Sequence, residues 1–104
     1  MSSKAVVPRE ALNRLVKLVN EEVRRLESEL AVIEEELRMF EEKYGVRSDV
    51  FLEMLRGERA WTLPEGSEPD VVEWEALLEQ RKRIMEKLKE LDRLWRQLRD
   101  YNKY

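Results

Sequence analysis

Two long segments of the sequence repeat apolar residues every three or four positions, and this repeat constrains the fold more than any other feature. In the first segment the steps average close to 3.6 residues, which is the period of an α-helix. Pro8 suits the first helical turn, and Gly45 suits a left-handed cap at the end. We therefore predict a helix from Pro8 to Tyr44, roughly 55 Å long. Its apolar stripe consists of Leu12, Leu15, Val19, Val23, Leu26, Leu30, Ile33, Leu37, Phe40 and Tyr44.

The second long segment repeats this design. Arg81 occupies one position of its stripe, and Ser67 with Asp70 has the spacing of an N-terminal capping box. We predict a helix from Glu68 to Asn102, which matches the first helix in length. Its apolar stripe consists of Trp74, Leu77, Ile84, Leu88, Leu91, Trp95 and Leu98.

The connector between the two segments contains a short helix and a loop. Ser48 is a candidate N-cap and Gly57 a stop signal, which predicts a helix over residues 49–56 and a loop over residues 57–66. Two helices of equal length with a compact connector fold back on each other as an antiparallel hairpin. The sequence therefore predicts one all-α, coiled-coil-like domain over residues 1–104. Four residues are expected to pack at the bend or to contact a partner: Phe51, Leu55, Trp61 and Trp74.

Apolar residues also occur outside the two stripes, which makes each apolar face too wide for a single helical partner. Leaving such side chains in water forgoes about 1.5–3 kcal/mol each, and a contiguous exposed apolar patch usually marks an interface. We predict that two hairpins pack into a four-helix bundle, or that a partner protein covers this face. The residues concerned are Val16, Leu18, Val32, Met39, Val72, Leu78, Met85 and Leu94.

Charge is segregated along the predicted hairpin. Residues 27–42 hold seven acidic residues against one basic residue, and residues 65–79 hold six acidic residues and no basic one. Both segments lie towards the bend, whereas residues 9–25 and 81–103 are rich in Lys and Arg. An antiparallel dimer would set the acidic end of one hairpin against the basic end of the other. The sequence therefore predicts an antiparallel homodimer.

The sequence lacks the residue types that most enzymes need. It contains no His and no Cys, and it has no Gly-rich phosphate loop, so the common nucleophile, base and metal constellations are excluded. Carboxylates remain, and their pairing with Arg four residues away, as in Glu21 with Arg25, is typical of a solvated helix face. We expect no catalytic residue, no bound metal and no cofactor.

A run of basic residues in the second long helix raises nucleic-acid binding as an alternative. Acidic residues interrupt this run, and the sequence pI is near 5.2. Both observations disfavour nucleic acid as the main partner and leave, at most, weak binding at the basic end. The candidate residues are Arg81, Lys82, Arg83, Arg93 and Arg96.

The sequence also indicates a cellular setting. It lacks the apolar run of a signal peptide or of a membrane span, which favours a protein that does not enter a membrane. The absence of Cys favours a reducing cytoplasm. The charged fraction of 41% is typical of thermophilic proteins, in which networks of Glu, Lys and Arg are common.

The middle of the chain resembles a group of small archaeal and bacterial helical proteins. The resemblance rests on "FEEKYG" at residues 40–45, on Phe51, on "GE" at residues 57–58 and on "DVVEWEAL" at residues 70–77, and it extends over roughly residues 35–90. In that group a Glu-rich helix ends in a YG turn, passes a short helix and an acidic loop, and resumes at an acid-x-x-Glu-Trp motif. Some members are described as antitoxins encoded beside a ribonuclease-like toxin.

These features lead to one main hypothesis for function and two alternatives. The resemblance implies a non-enzymatic, antitoxin-like protein that neutralises a ribonuclease-like partner encoded nearby, with the acidic bend imitating RNA. The first alternative is a homo-oligomeric coiled-coil scaffold or adaptor. The second alternative is a weak nucleic-acid binder that uses the basic end.

Overall fold

The computed structural model describes residues 8–101, which form three α-helices. Helix α1 spans Arg9–Tyr44, helix α2 spans Ser48–Leu55 and helix α3 spans Glu68–Tyr101. The long helices α1 and α3 pack against each other as a hairpin, which confirms the predicted all-α hairpin with a short helix at the bend. Asn102, the predicted last residue of the second long helix, lies outside the described residues.

The ends of α1 follow from Pro8 and Gly45. Pro8 occupies the N-cap position, with φ −55° and ψ 142°, one residue before its predicted helical position. Gly45 adopts the predicted left-handed conformation, with φ 64° and ψ 28°. The N–H groups of Gly45 and Val46 both donate to the carbonyl of Glu41, which satisfies a backbone group that the helix end would otherwise leave free.

The seam between α1 and α3 follows a seven-residue repeat. The buried residues of this repeat are Leu12, Val19, Leu26 and Ile33 on α1, and Leu77, Ile84 and Leu98 on α3. Seven residues in two turns is the period of a left-handed coiled coil. The molecule is a rod of 67 × 26 × 18 Å with a radius of gyration of 20.3 Å, well above the value of about 13 Å for a compact domain of 100 residues.

The buried residues form two clusters along the rod. The larger one, the bend cluster, extends from the bend to the middle of the rod and includes Phe51, Leu63 and Trp74 from three different segments. The smaller one lies at the opposite end, which we call the open end, and consists of Leu12, Val19 and Leu98. Packing is therefore most extensive at the bend.

The seven-residue repeat corrects the predicted stripe of α1 at one position. Val16, predicted to lie outside the stripe as an interface residue, is half-buried and packs on the open-end cluster. Leu15, predicted to lie inside the stripe, is exposed. The reason is that Val16 precedes the half-buried Val23 by seven residues and shares its seam position. Leu15 is turned by about 100° away from that position.

Two serines predicted as N-terminal caps use their side chains for other contacts. Ser48 is the first residue of α2 rather than its N-cap, and Arg47 takes the cap position. In the predicted capping box, the Ser67 hydroxyl donates to the Pro64 carbonyl at 2.6 Å. The Asp70 carboxylate accepts hydrogen bonds from α1 instead. The side chains that the sequence assigned to capping thus serve the loop and the tertiary contact between the long helices.

Candidate protein-binding surfaces

Trp74 is the centre of the bend, and aromatic rings surround it. It is fully buried and stacks on Phe51 of α2, with ring centroids 4.0 Å apart and planes inclined by 5°. Phe40 and Tyr44 of α1 stack with it at centroid distances of 5.7 and 6.0 Å. Its indole Nε1 donates to the Ser48 hydroxyl at 3.0 Å, which satisfies the one polar atom of the ring. Phe51 and Trp74 therefore belong to the interior of the bend.

The loop between α2 and α3 contributes Leu63, and not Trp61, to the bend cluster. Leu63 is buried, whereas Trp61 is 49% exposed. Of the two roles predicted for Trp61, packing at the bend is not what the structure shows, because Leu63 fills that place; contact with a partner stays a prediction. Leu55, the fourth residue predicted at the bend, is half-buried against the bend cluster.

Asp70 links the beginning of α3 to the end of α1. Its Oδ2 accepts a hydrogen bond from the Lys43 ammonium group at 2.6 Å and another from the Tyr44 hydroxyl. These two donors hold the pKa of Asp70 below its ordinary value. The same carboxylate raises the pKa of Lys43 and the pKa of Tyr44. Within residues 8–101, Lys43 with Asp70 is the one ion pair that joins the two long helices.

Replacing Asp70 by Asn should destabilise the protein at neutral pH, and this effect should disappear in acid. A carboxylate whose pKa is lowered by folding adds stability above its unfolded-state pKa, and this stability is lost as the pH falls through the folded-state pKa. The loss therefore begins near the ordinary Asp pKa of 3.8 and is complete below the folded-state value. Urea unfolding of both proteins at pH 7 and at about pH 2 measures the difference.

Asp92→Asn is the control for this experiment, because Asp92 is exposed and pairs with Arg96 of its own helix at 3.2 Å. An exposed pair of this kind contributes little to stability, so Asp92→Asn should have a small effect at both pH values. If Asp70→Asn destabilised the protein equally at both pH values, its ionised carboxylate would not be the source of the stabilisation.

One side of α1 carries three strongly exposed apolar residues in register. Leu18, Val32 and Met39, which we call the flank stripe, are 59%, 60% and 61% exposed. Their spacings of fourteen and seven residues match the repeat of the seam, so they keep one orientation relative to α3 along the rod. Arg25 occupies the remaining seven-residue position of the flank stripe. Three hydrophobic side chains of the predicted interface therefore do share one side of the molecule.

Arg25 is held in the flank stripe by two glutamates. Its guanidinium donates to Glu22 through Nε at 3.0 Å and to Glu29 through a terminal nitrogen at 2.6 Å. The hydrogen bond with Glu22 raises the pKa of Arg25 and lowers the pKa of Glu22. The predicted partner, Glu21, is not used. An arginine fixed by its head group can still cover apolar surface with its aliphatic stem.

The flank stripe shares its side of the rod with Leu94 of α3. Glu22, which holds Arg25, lines a groove between α1 and α3 together with Leu94. Met39 lines a second groove together with Glu36. Both grooves open on the same side, because Glu22 and Glu36 are two seven-residue repeats apart on α1. The flank stripe and Leu94 define one face of the hairpin, which we call the stripe face.

The remaining predicted interface residues do not lie on the stripe face. Leu78, predicted as an interface residue, is 6% exposed because it belongs to the bend cluster. Leu52 of α2 packs on the same cluster and lines a groove between α2 and α3 together with Leu78. Met85 lies in the same groove between α2 and α3, which has a volume of about 520 Å³. Val72 is 68% exposed and lies on the side of α3 that faces away from the seam. The predicted set thus includes residues from several sides of the rod.

The predicted basic patch is divided among several sides of α3. Arg81, Lys82 and Arg83 are consecutive, so their side chains leave the helix in directions about 100° apart. Arg81 is half-buried at a seam position and lines the groove between α2 and α3 with Lys82. Arg93 is exposed, and Arg96 is occupied by an ion pair within α3. Lys82, Arg93 and Arg96 share the outward side of α3, since Arg93 and Arg96 follow Lys82 by eleven and fourteen residues. Arg81 and Arg83 leave the helix in other directions.

Charge separates the two halves of the rod. Between residues 27 and 79, which we call the bend half, sixteen acidic residues stand against five basic ones. In the open half, residues 8–26 and 80–101, thirteen basic residues stand against seven acidic ones. Apart from Lys43 with Asp70, the ion pairs of the described residues join positions no more than six apart. They therefore leave the separation of charge along the rod in place.

Leu63 and the role of Arg25 in the flank stripe were not predicted from the sequence. For Leu63 a signal exists, since it is the one aliphatic residue in the polar stretch from Thr62 to Ser67. For Arg25 the signal is its position seven residues after Leu18 and seven before Val32. A repeat of seven, rather than an average of 3.6, would have revealed both the stripe and its charged member.

The described residues contain neither a metal site nor a membrane span. Among residues 8–101, no group of three or more Asp and Glu residues is arranged to hold a metal ion. In this part of the chain, no helix is both long enough and apolar enough to cross a bilayer. The described surface presents a row of apolar side chains and two oppositely charged halves to a binding partner.

The fold places the molecule in the class of elongated all-α hairpins with a short helix at the bend. Within that class, the chain belongs to the family described as "Uncharacterized protein MJ0235 family", whose model matches residues 3–95. No curated protein and no solved structure matches the chain. The family description states no activity, so the antitoxin role implied by the resemblance remains a prediction.

Proposed function

We propose that this protein is a non-enzymatic protein-binding module with an antitoxin-like role. The observation that carries the proposal is the stripe face, where Leu18, Val32 and Met39 are each about 60% exposed in one row. Burying side chains of this size gains about 1.5–3 kcal/mol each. A row of hydrophobic side chains along a rod is a surface that another protein would cover.

The acidic bend half supports the antitoxin-like role. It presents sixteen acidic residues against five basic ones, and the Glu residues on its helices are largely exposed. A ribonuclease cleft is basic because it binds the phosphate backbone. An acidic helical surface can therefore occupy such a cleft in place of RNA. The resemblance to a group of small helical proteins, some of them described as antitoxins, points to the same partner class.

Expression of this chain together with the product of the adjacent gene tests the role. We expect the two proteins to copurify in a fixed ratio, and we expect the chain to restore growth to cells that the neighbour alone arrests. Copurification followed by mass determination, together with colony counts, measures both effects. A neighbour that neither copurifies nor loses its toxicity would contradict the antitoxin-like role.

Two matched double variants test whether the bend half makes the contact. Glu75→Lys with Glu79→Lys reverses two exposed acids of α3 in the bend half, and Glu86→Lys with Glu90→Lys does the same in the open half. We expect the first pair to weaken the complex about tenfold or more, because it removes attraction to a basic cleft. The second pair should change the affinity by less than about twofold. A larger loss of affinity from the second pair than from the first would place the contact at the open half.

A homo-oligomeric scaffold is the second candidate, and the separation of charge favours it. Two copies packed antiparallel set an acidic bend half against a basic open half at both ends, whereas parallel copies set like charges together. The predicted antiparallel homodimer and four-helix bundle follow from this arrangement. They are also compatible with the antitoxin-like role, as the state of the protein before it meets its partner.

A further inference from the structure

We infer that a second copy of this chain packs antiparallel on the stripe face, and that the flank stripe pairs with itself. The inference rests on the proposed protein-binding function and on the predicted antiparallel homodimer, and it adds the side of the rod and the register. Leu18 of each copy lies against Met39 of the second copy. Val32 of each copy lies against the aliphatic stem of Arg25 of the second copy.

Symmetry selects these pairs. A two-fold axis that crosses the rods at right angles brings the same face of both copies together with reversed direction, as a closed dimer requires. Under this rotation α1 lies on α1 of the second copy, and α3 lies on α3. Positions 18, 25, 32 and 39 are equally spaced by seven residues, so the stripe read backwards coincides with itself. Each of the two contacts therefore occurs twice in the dimer.

Other apolar residues of the stripe face extend the contact. Leu15 is exposed one helical turn from Leu18, and Leu94 is exposed in the groove between α1 and α3. Together with the flank stripe, they spread exposed apolar side chains over both halves of the rod. Two rods that overlap along most of their 67 Å length would bury these residues at both ends of the interface.

Charge selects the antiparallel direction. The bend half carries a large excess of acidic residues and the open half an excess of basic residues. Antiparallel packing sets the bend half of each copy against the open half of the other. Parallel packing places like charges side by side along the whole rod. Their repulsion costs more free energy the closer they lie.

The opposite side of the hairpin does not offer an equivalent surface. Helix α2 lies there, with Leu52 beside Leu78 and Met85 in the groove that α2 forms with α3. Helix α2 stands on the bend part of that side, so a second rod could not lie against the seam over its full length. The stripe face is the side on which two rods can approach along their length.

The mass of the protein in solution tests whether a second copy covers the stripe face. Light scattering at micromolar concentration should give twice the mass of the 12.6 kDa chain. Val32→Glu places a charge in the flank stripe and should reduce the mass to that of one chain. Val72→Glu makes the same change at a more exposed valine outside the stripe face, and it should leave the dimer intact. Circular dichroism should show equal helix content in both variants, which separates dissociation from unfolding.

Disulfide cross-linking tests the direction, because the chain has no Cys of its own. Leu18→Cys and Met39→Cys, mixed and allowed to exchange subunits, should oxidise to a covalent dimer that contains one chain of each. Each variant alone should cross-link at least about tenfold less. Efficient cross-linking of the single variants, or dissociation by Val72→Glu but not by Val32→Glu, would overturn the inference. A single-chain mass for the unmodified protein would also overturn it, while a complex with the neighbouring gene product would still support the proposed function.

Discussion

Replacing Trp74 by Ala is expected to lower the free energy of unfolding by about 3–5 kcal/mol, the range for large aromatic residues removed from a packed core. Trp74 is fully buried, and its ring stacks on Phe51 at 4.0 Å. Alanine leaves a cavity among the surrounding rings and removes the donor that the Ser48 hydroxyl accepts from. Urea unfolding followed by circular dichroism measures the change, which is a large part of the stability of an ordinary domain.

Trp61→Ala is the matched control, because Trp61 is the same residue type but is 49% exposed in the loop. Its removal should change the free energy of unfolding by less than about 1 kcal/mol, as is usual for exposed positions. The loss in the free energy of unfolding from Trp74→Phe should lie between the losses from Trp74→Ala and Trp61→Ala. Phenylalanine keeps a ring in the stack but lacks the indole N–H. Equal losses from Trp74→Ala and Trp61→Ala would show that the bend is not organised around Trp74.

Leu78→Ala is the second substitution with a large expected effect, and we expect a loss of about 2–5 kcal/mol. Leu78 lies in the bend cluster at 6% exposure, and Leu52 of α2 packs on the same cluster. Its truncation removes apolar contacts on which the position of α2 depends. The loss should appear both in the urea midpoint and in faster amide hydrogen exchange within α2.

Val72→Ala serves as the reference for Leu78→Ala, because both positions are aliphatic and lie on the same helix. Val72 is 68% exposed, so its truncation should change stability by less than about 0.5 kcal/mol. If the two substitutions had similar small effects, α2 would not be packed on Leu78 in solution, and the side of the hairpin opposite the stripe face would be open.

The hairpin could be predicted from the sequence because the apolar repeat reports directly on helix geometry. The bounds of α1 were equally accessible, since Gly45 is a backbone signal that acts without tertiary contacts. The neighbouring residues Leu15 and Val16 show the limit of this approach. Both are apolar, and an average period of 3.6 cannot decide between them, whereas the position of α3 fixes Val16 in the seam.

The candidate surfaces were predicted only in part, because exposure depends on what covers a residue. Leu18 and Leu78 look alike in sequence, since each lies beside a stripe position. Helix α2 covers Leu78 and leaves Leu18 exposed, and no local pattern states where a short helix after the bend will pack. The same reasoning applies to Trp61 and Leu63, because the path of the loop decides which of them reaches the bend cluster.

The unequal size of the two buried clusters has a consequence for the way the rod opens. At the bend, all three helices and the loop meet around Trp74, whereas at the far end three buried residues hold two helical ends together. Thermal fluctuations should therefore fray the molecule from its tips, with the first turns of α1 and the last turns of α3 parting while the bend stays closed. A protein that grips these tips would capture a splayed form of the rod, and one that grips the bend would meet a rigid body.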